Sequence, residues 1–162
     1  MKFNGKGQGA TEYLVLLAVV LIIALVSIAL LGFFPGIASD AKITQSKSYW
    51  SSQTPFAIVE SAVTGAPSSG TTNGSIILRN NDASGTMTVS TVKLCSSSAY
   101  TSCGNSTSYT LGSGESKLLN ITGIPAQPSG QIYDLYVVIN YTTTNSIPSM
   151  QYGSKTLTGK YV

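Results

Sequence analysis

The chain has 162 residues, with 9 Lys and Arg, 6 Asp and Glu, no His, a formal net charge of +3, 43% hydrophobic residues and only 9% charged ones. A soluble domain carries about a quarter charged residues, so either the surface is unusually uncharged or part of the chain lies outside water. Without histidine, neither a Ser-His-Asp or Cys-His catalytic unit nor a His-ligated metal site can be built, and two cysteines are too few for a structural zinc site. The basic residues are spread thinly and include Lys2 and Lys6, so no basic face exists for a phosphate backbone, and nucleic acid is not an expected partner.

The chain is made of two unlike materials. Residues 14–34 carry no charge, whereas of the 24 Ser and 18 Thr only Thr11, Ser27 and Ser39 precede Thr44. The apolar run from Leu14 to Phe34 would be about 32 Å long as a helix, at about 1.5 Å per residue. That length matches a hydrocarbon core of about 30 Å. Ser27, its one hydroxyl, can donate to a carbonyl one turn earlier. A helix apolar all round belongs in lipid or among other apolar helices. Lys2 and Lys6 favour a cytoplasmic N-terminus and an outward C-terminal part.

Three readings compete for this segment. A secretory signal would be shorter, although Gly36-Ile37-Ala38 before Ser39 is a passable cleavage site. A permanent single-span anchor fits the length equally well. The third reading starts from Glu12, whose carboxylate sits against the apolar run, where burial is costly without a partner. The residues Lys6-Gly7-Gln8, then Gly9-Ala10-Thr11-Glu12-Tyr13-Leu14, closely resemble the class III signal peptide of archaeal type IV pilin-like proteins. The resemblance covers about the first 30 residues and is the reading adopted here.

That resemblance implies a leader at 1–7, removed by a membrane prepilin peptidase between Gly7 and Gln8, before the apolar helix. It also implies that mature helices bundle centrally in a filament, with the Glu12 carboxylate neutralising the Gln8 amine of a neighbouring subunit; Gln8, Glu12 and Tyr13 are thus the expected assembly residues. Loss of the leader removes two of nine basic residues and no acidic one, so the net charge falls to +1 and the charges that pinned the orientation are gone. A buried pair of this sort specifies register more reliably than it stabilises. Near a helix N-terminus, Glu12 is also favoured by the helix dipole alone.

Pro35-Gly36 is expected to end or kink the helix. A second helical portion follows to Gln53, with Ile37 and Ala41 placed to face the outer domain and Asp40 and Lys47 in solvent. Tyr49 and Trp50 are read as domain core rather than membrane-interface aromatics. Residues 8–53 therefore form the assembly and transmembrane helix, and 54–162 an extracellular β-domain. Within it the period changes to two. Strands are expected at 56–63, 75–79, 87–94, 117–121 and 131–141, with a last one at 155–162. Turn chemistry lies between them at 65–70, 80–85, 112–114 and 125–130. The fold class is α+β: a long N-terminal apolar helix followed by an antiparallel β-sandwich or small β-barrel.

Cys95 and Cys103 frame seven residues rich in Ser. They suit unpaired core cysteines in a cytosolic protein, but on an exported domain a disulfide-closed hairpin is the expected form. Four Asn-x-Ser/Thr acceptors occur, at Asn73, Asn105, Asn120 and Asn140. Asn73 and Asn105 fall in expected loops, Asn120 and Asn140 at strand ends. Glu60, Asp82, Glu115 and Asp134 show no metal-ligand spacing, and Gly112-Ser113-Gly114 reads as a turn. No catalytic, metal or cofactor site is expected, and no enzyme.

The expected function is a pilin of a cell-surface filament serving adhesion. Its partners are identical or related subunits, a prepilin peptidase, an assembly platform, and the cytoplasmic membrane before assembly. A motility filament, a solute-binding surface assembly and an ordinary anchored surface domain are the alternatives.

Overall fold

The computed structural model describes residues 8–67 and 70–162, with the side chains of 8 and 32–35 left out. The expected leader at 1–7, and Gly7 of the cleavage site with it, lies outside the described residues. Contacts divide the chain into two units, Met1–Asp40 and Ala41–Val162.

The first element is the helix α1 (Gln8–Ser51). Helical backbone continues through Pro35 and Gly36, so of the two outcomes expected of these breakers, an end or a kink, the end does not occur. A proline inside a helix costs about 3 kcal/mol. Good helix formers on both sides, Leu, Ala and Ile before it and Ala, Lys and Gln after it, offset that loss. The last turns of α1, from Ala41 onward, belong to the β-unit.

Among the described residues nine strands follow: β1 (Phe56–Val63), β2 (Thr71–Asn80), β3 (Met87–Cys95), β4 (Cys103–Ser106), β5 (Tyr109–Leu111), β6 (Ser116–Pro125), β7 (Ile132–Thr142), β8 (Pro148–Tyr152) and β9 (Leu157–Lys160). They form one antiparallel sheet in the order β1-β2-β6-β4-β3-β7-β8, with β5 also on β3 and β9 also on β7. The sheet curls into a half-barrel. Strict alternation shows why: in β2, Thr72, Gly74, Ile76, Leu78 and Asn80 are buried, and the residues between them are not. In β1 a bulge between Ile58 and Glu60 resets the phase and turns Val59 out to solvent.

Curling brings β1 back beside the last strands. At one end the Gln151 side-chain amide takes the place of a missing ladder partner. Its Oε1 accepts from Phe56 N–H at 3.0 Å and its Nε2 donates to Phe56 C=O at 2.8 Å. At the other end Val63 forms a parallel bridge with Tyr161: Val162 N–H donates to Val63 C=O at 3.0 Å and Gly65 N–H to Val162 C=O at 2.6 Å. The interior is filled by Ile76, Leu78, Val89, Leu94, Leu119, Ile121, Ile139 and Phe56, all fully buried, together with Trp50 from α1.

The sequence located most long strands and missed β4, β5 and β8. The first two, Cys-Gly-Asn-Ser and Tyr-Thr-Leu, are only four and three residues long, too short to show a sustained apolar alternation. Pro148 opens β8, which is tolerated because β8 lies at the end of the sheet path.

The clasp on β1 yields a stability prediction. Gln151→Leu strands two buried backbone groups of Phe56, each costing about 1 to 3 kcal/mol. Gln151→Glu, which still accepts but no longer donates, should fall between wild type and Leu. Urea unfolding of the detergent-solubilised chain, followed by tryptophan fluorescence, gives the order; equal stability of all three would refute the clasp.

Candidate functional site: an exposed apolar helix and a β-domain surface

From Gly9 to Leu31 every described side chain of α1 is exposed, including 60% or more of Tyr13, Leu14, Leu16, Ile22 and Ile28. An 18-residue window reaches a mean hydropathy of 3.4. No face of it is polar, so its apolar surface needs lipid or other apolar helices on every side. Length and composition suffice for one membrane crossing. Ser27 Oγ donates to Ile23 C=O at 2.8 Å, which hides its one hydroxyl within the helix as the sequence led us to expect. Glu12 and Tyr13 are both exposed at the start of this surface. Gln8 is helical in backbone, and its side chain is outside the description.

The last turns of α1 are a different surface. Ile43, Ser46, Tyr49 and Trp50, at helical spacing, face the sheet, whereas Ala41 is exposed and does not face it as expected above. The shift has a physical reason: Trp50 is the largest apolar group of the segment and sets which stripe turns inward. Asp40 and Lys47 are in solvent, as expected. Ser46 Oγ donates to Thr156 C=O at 2.9 Å and accepts from Thr158 N–H at 2.9 Å, so one hydroxyl serves a backbone acceptor just before β9 and a backbone donor within it. Tyr49 OH accepts from Ser154 N–H at 2.8 Å. Trp50 is fully buried and stands edge-on to Tyr49, with ring centroids 5.3 Å apart. Gly153 makes room for it: a Cβ there would lie 2.2 Å from the indole.

One ion pair joins the foot of the helix to the sheet. Lys42 Nζ lies 2.6 Å from Asp134 Oδ2, and Asp134 also accepts from Thr158 Oγ1 at 2.6 Å and from Thr156 Oγ1 at 3.4 Å. Partial burial acts to raise the Asp134 carboxyl, but the Lys42 hydrogen bond, the Thr158 hydroxyl, the Lys42 charge and the Thr156 hydroxyl outweigh it. The group is held below the usual carboxylate value of 3.8. Beside it a cleft of about 350 Å³ is lined by Lys42, Gln45, Tyr136, Lys155 and Thr156 among others.

One part of the β-domain surface is shaped by the Cys95–Cys103 disulfide, which closes the β3–β4 hairpin as expected. Its loop carries Tyr100 in the left-handed region at φ 55°. Tyr100 stands against Tyr152 and Tyr136, with ring centroids 5.5 and 6.4 Å apart. Tyr152 and Met150 are exposed beside them. These residues come from three strands or loops, so no local pattern in the sequence marks the cluster. Tyr133 and Tyr161, by contrast, are core residues in mutual contact. Gly112-Ser113-Gly114 is a turn, with Gly114 at φ 73°.

The glycosylation acceptors lie in strands rather than in loops. Asn73 is in β2, Asn105 in β4, Asn120 in β6 and Asn140 in β7, and the first three are exposed. Among the described residues no group of three His, Cys, Asp or Glu side chains is placed to hold a metal. Compared with known proteins, the chain matches no family model and no curated protein.

The Asp134 contacts predict a pH response at the helix foot. A carboxyl with a lowered folded value stabilises fully above about 3.8 and loses that stabilisation as pH falls through the folded value. Wild type should therefore lose stability between pH 5 and pH 2 more steeply than Asp134→Asn, as read by thermal unfolding of the detergent-solubilised chain. Parallel curves for the two proteins would refute this assignment.

Proposed function

We propose that the chain is a pilin: the structural subunit of an archaeal type IV-like surface filament, with adhesion as its role. The observation that carries this reading is α1 from Gly9 to Leu31, apolar and exposed on every side, followed by a folded β-domain. A plain anchor needs the apolar length alone. The Lys6-Gly7-Gln8 and Glu12-Tyr13 arrangement at its start adds a peptidase signal and a charge pair, which an anchor has no use for.

In this reading the precursor enters the cytoplasmic membrane with Lys2 and Lys6 inside. A prepilin peptidase cuts between Gly7 and Gln8, and an assembly platform transfers the mature helix from lipid into a bundle of its own kind. Lipid and neighbouring helices are equally apolar solvents for it, so the transfer requires little exposure of apolar surface to water. The Glu12 carboxylate pairs with the Gln8 amine of the next subunit and fixes its axial position. The β-domain is displayed outside. Its disulfide suits an oxidising exterior, and the Tyr100, Tyr136 and Tyr152 cluster offers the rigid amphipathic rings that contact surfaces favour. No catalytic step is assigned to the chain.

Mass spectrometry of the native N-terminus tests the processing step. A start at Gln8 is expected; a start at Ser39 would make the chain a secreted domain, and an uncut Met1 a simple anchor. Glu12→Leu should leave membrane insertion intact and reduce surface filaments, counted by electron microscopy, at least tenfold. Normal filaments from that variant would refute the pairing.

A further inference from the structure

Four acceptor sequons spread over the sequence become one cluster and one outlier in the fold. In the sheet, β6 lies between β2 and β4. Asn73 on β2 and Asn105 on β4 are both register partners of Thr122 on β6, one from each side. Two strand spacings of about 4.8 Å place their Cα atoms about 10 Å apart. Asn120 is two residues from Thr122 on β6, on the same face, and its register partner is Ser75.

The three sequons thus interlock. Ser75 is the hydroxyl residue of the Asn73 sequon and stands opposite Asn120, while Thr122 is the hydroxyl residue of the Asn120 sequon and stands between Asn73 and Asn105. Ser75 Oγ donates to Asn120 Oδ1 at 3.0 Å, and the Asn120 amide nitrogen has no hydrogen-bond partner among the described residues. The surroundings, Thr64, Ser75 and Thr122, are hydroxyl-bearing and uncharged, and a shallow cleft of about 400 Å³ runs between Asn73 and Asn120.

Asn140 differs in each respect. Its amide nitrogen donates to Thr91 Oγ1 at 3.1 Å, and its Oδ1 is enclosed without a hydrogen-bond partner. It lies in register between Thr91 of β3 and Met150 of β8, so neither side of the amide is open for a sugar ring.

We propose that the outer face of β2, β6 and β4 is a single saccharide-bearing patch, N-linked at Asn73, Asn105 and Asn120, and that Asn140 is not a site. The donor is a saccharide activated through its anomeric carbon on a lipid-linked phosphate, delivered by a membrane transferase. The Asn Nδ2 forms the bond to the anomeric carbon, the bond from that carbon to the phosphate oxygen breaks, and the lipid phosphate leaves with the electron pair. The amide nitrogen gives up one proton to the transferase's base. The proposal rests only on the export of the β-domain in the reading above, not on filament formation.

The test is glycopeptide mass spectrometry on the protein isolated from the surface of its native host. The expected result is saccharide on Asn73, Asn105 and Asn120 in most molecules and a bare Asn140. A bare asparagine at any of the three, or saccharide on Asn140, overturns the proposal. A triple variant, Asn73→Gln with Asn105→Gln and Asn120→Gln, should reach the surface with the mass of the unmodified mature chain; any remaining saccharide mass overturns it as well. The N-terminal peptide of the same digest reports processing at Gln8 separately, so failure of the filament reading and failure of the patch are distinguishable.

Discussion

Burial of Trp50 is the constraint on which the β-unit depends. The indole is carried by the helix, yet it occupies the interior of the sheet, and Gly153 lacks a side chain where the ring passes. Around it the foot of α1 completes what the strands leave open. Ser46 supplies β9 and the residue just before it with both a donor and an acceptor, and Tyr49 receives the Ser154 backbone. Fully burying an aromatic side chain is worth roughly 2 to 3 kcal/mol in transfer terms alone. The β-unit is therefore incomplete without the last turns of the helix, and the boundary between the two units falls inside a helix rather than in a linker.

Much of this was legible in the sequence, because its strongest signals are local. The apolar run, the strands at 56–63 and 87–94, the Cys95 and Cys103 pair and the turn at 112–114 are each defined by neighbouring residues. What was not legible depends on pairing between distant ones. The inward stripe of the helix foot is chosen by Trp50 finding the core, so Ala41 looked as suitable as Ile43. Gln151 reads as an ordinary polar residue until β1 curls back to it. The asparagines at 73 and 105 sit among Thr, Gly and Ser, a composition typical of loops, and become strand residues because β6 pairs with β2 and β4 on either side.

The same logic governs the polarity of the β-domain. Its outer positions are filled by Ser, Thr and Asn more than by charged residues, so solubility rests on hydrogen bonding to water. Such a surface carries little long-range field and is insensitive to salt. The few charges present are used locally: Lys42 with Asp134 at the helix foot, and Lys117 over the Tyr109 ring at 5.4 Å.

The Gln151 clasp also bears on the order of events during folding. Phe56 and Gln151 are 95 residues apart, and the second seam joins Val63 to Tyr161. Synthesis from the N-terminus delivers β1 early and its partners late. Contacts of such long range are slow to form because the intervening loop must be closed first. The half-barrel consequently stays unlatched until β8 and β9 have been made, and until then β1 has only β2 for support. The timing of synthesis and the timing of closure are thereby coupled through one glutamine amide.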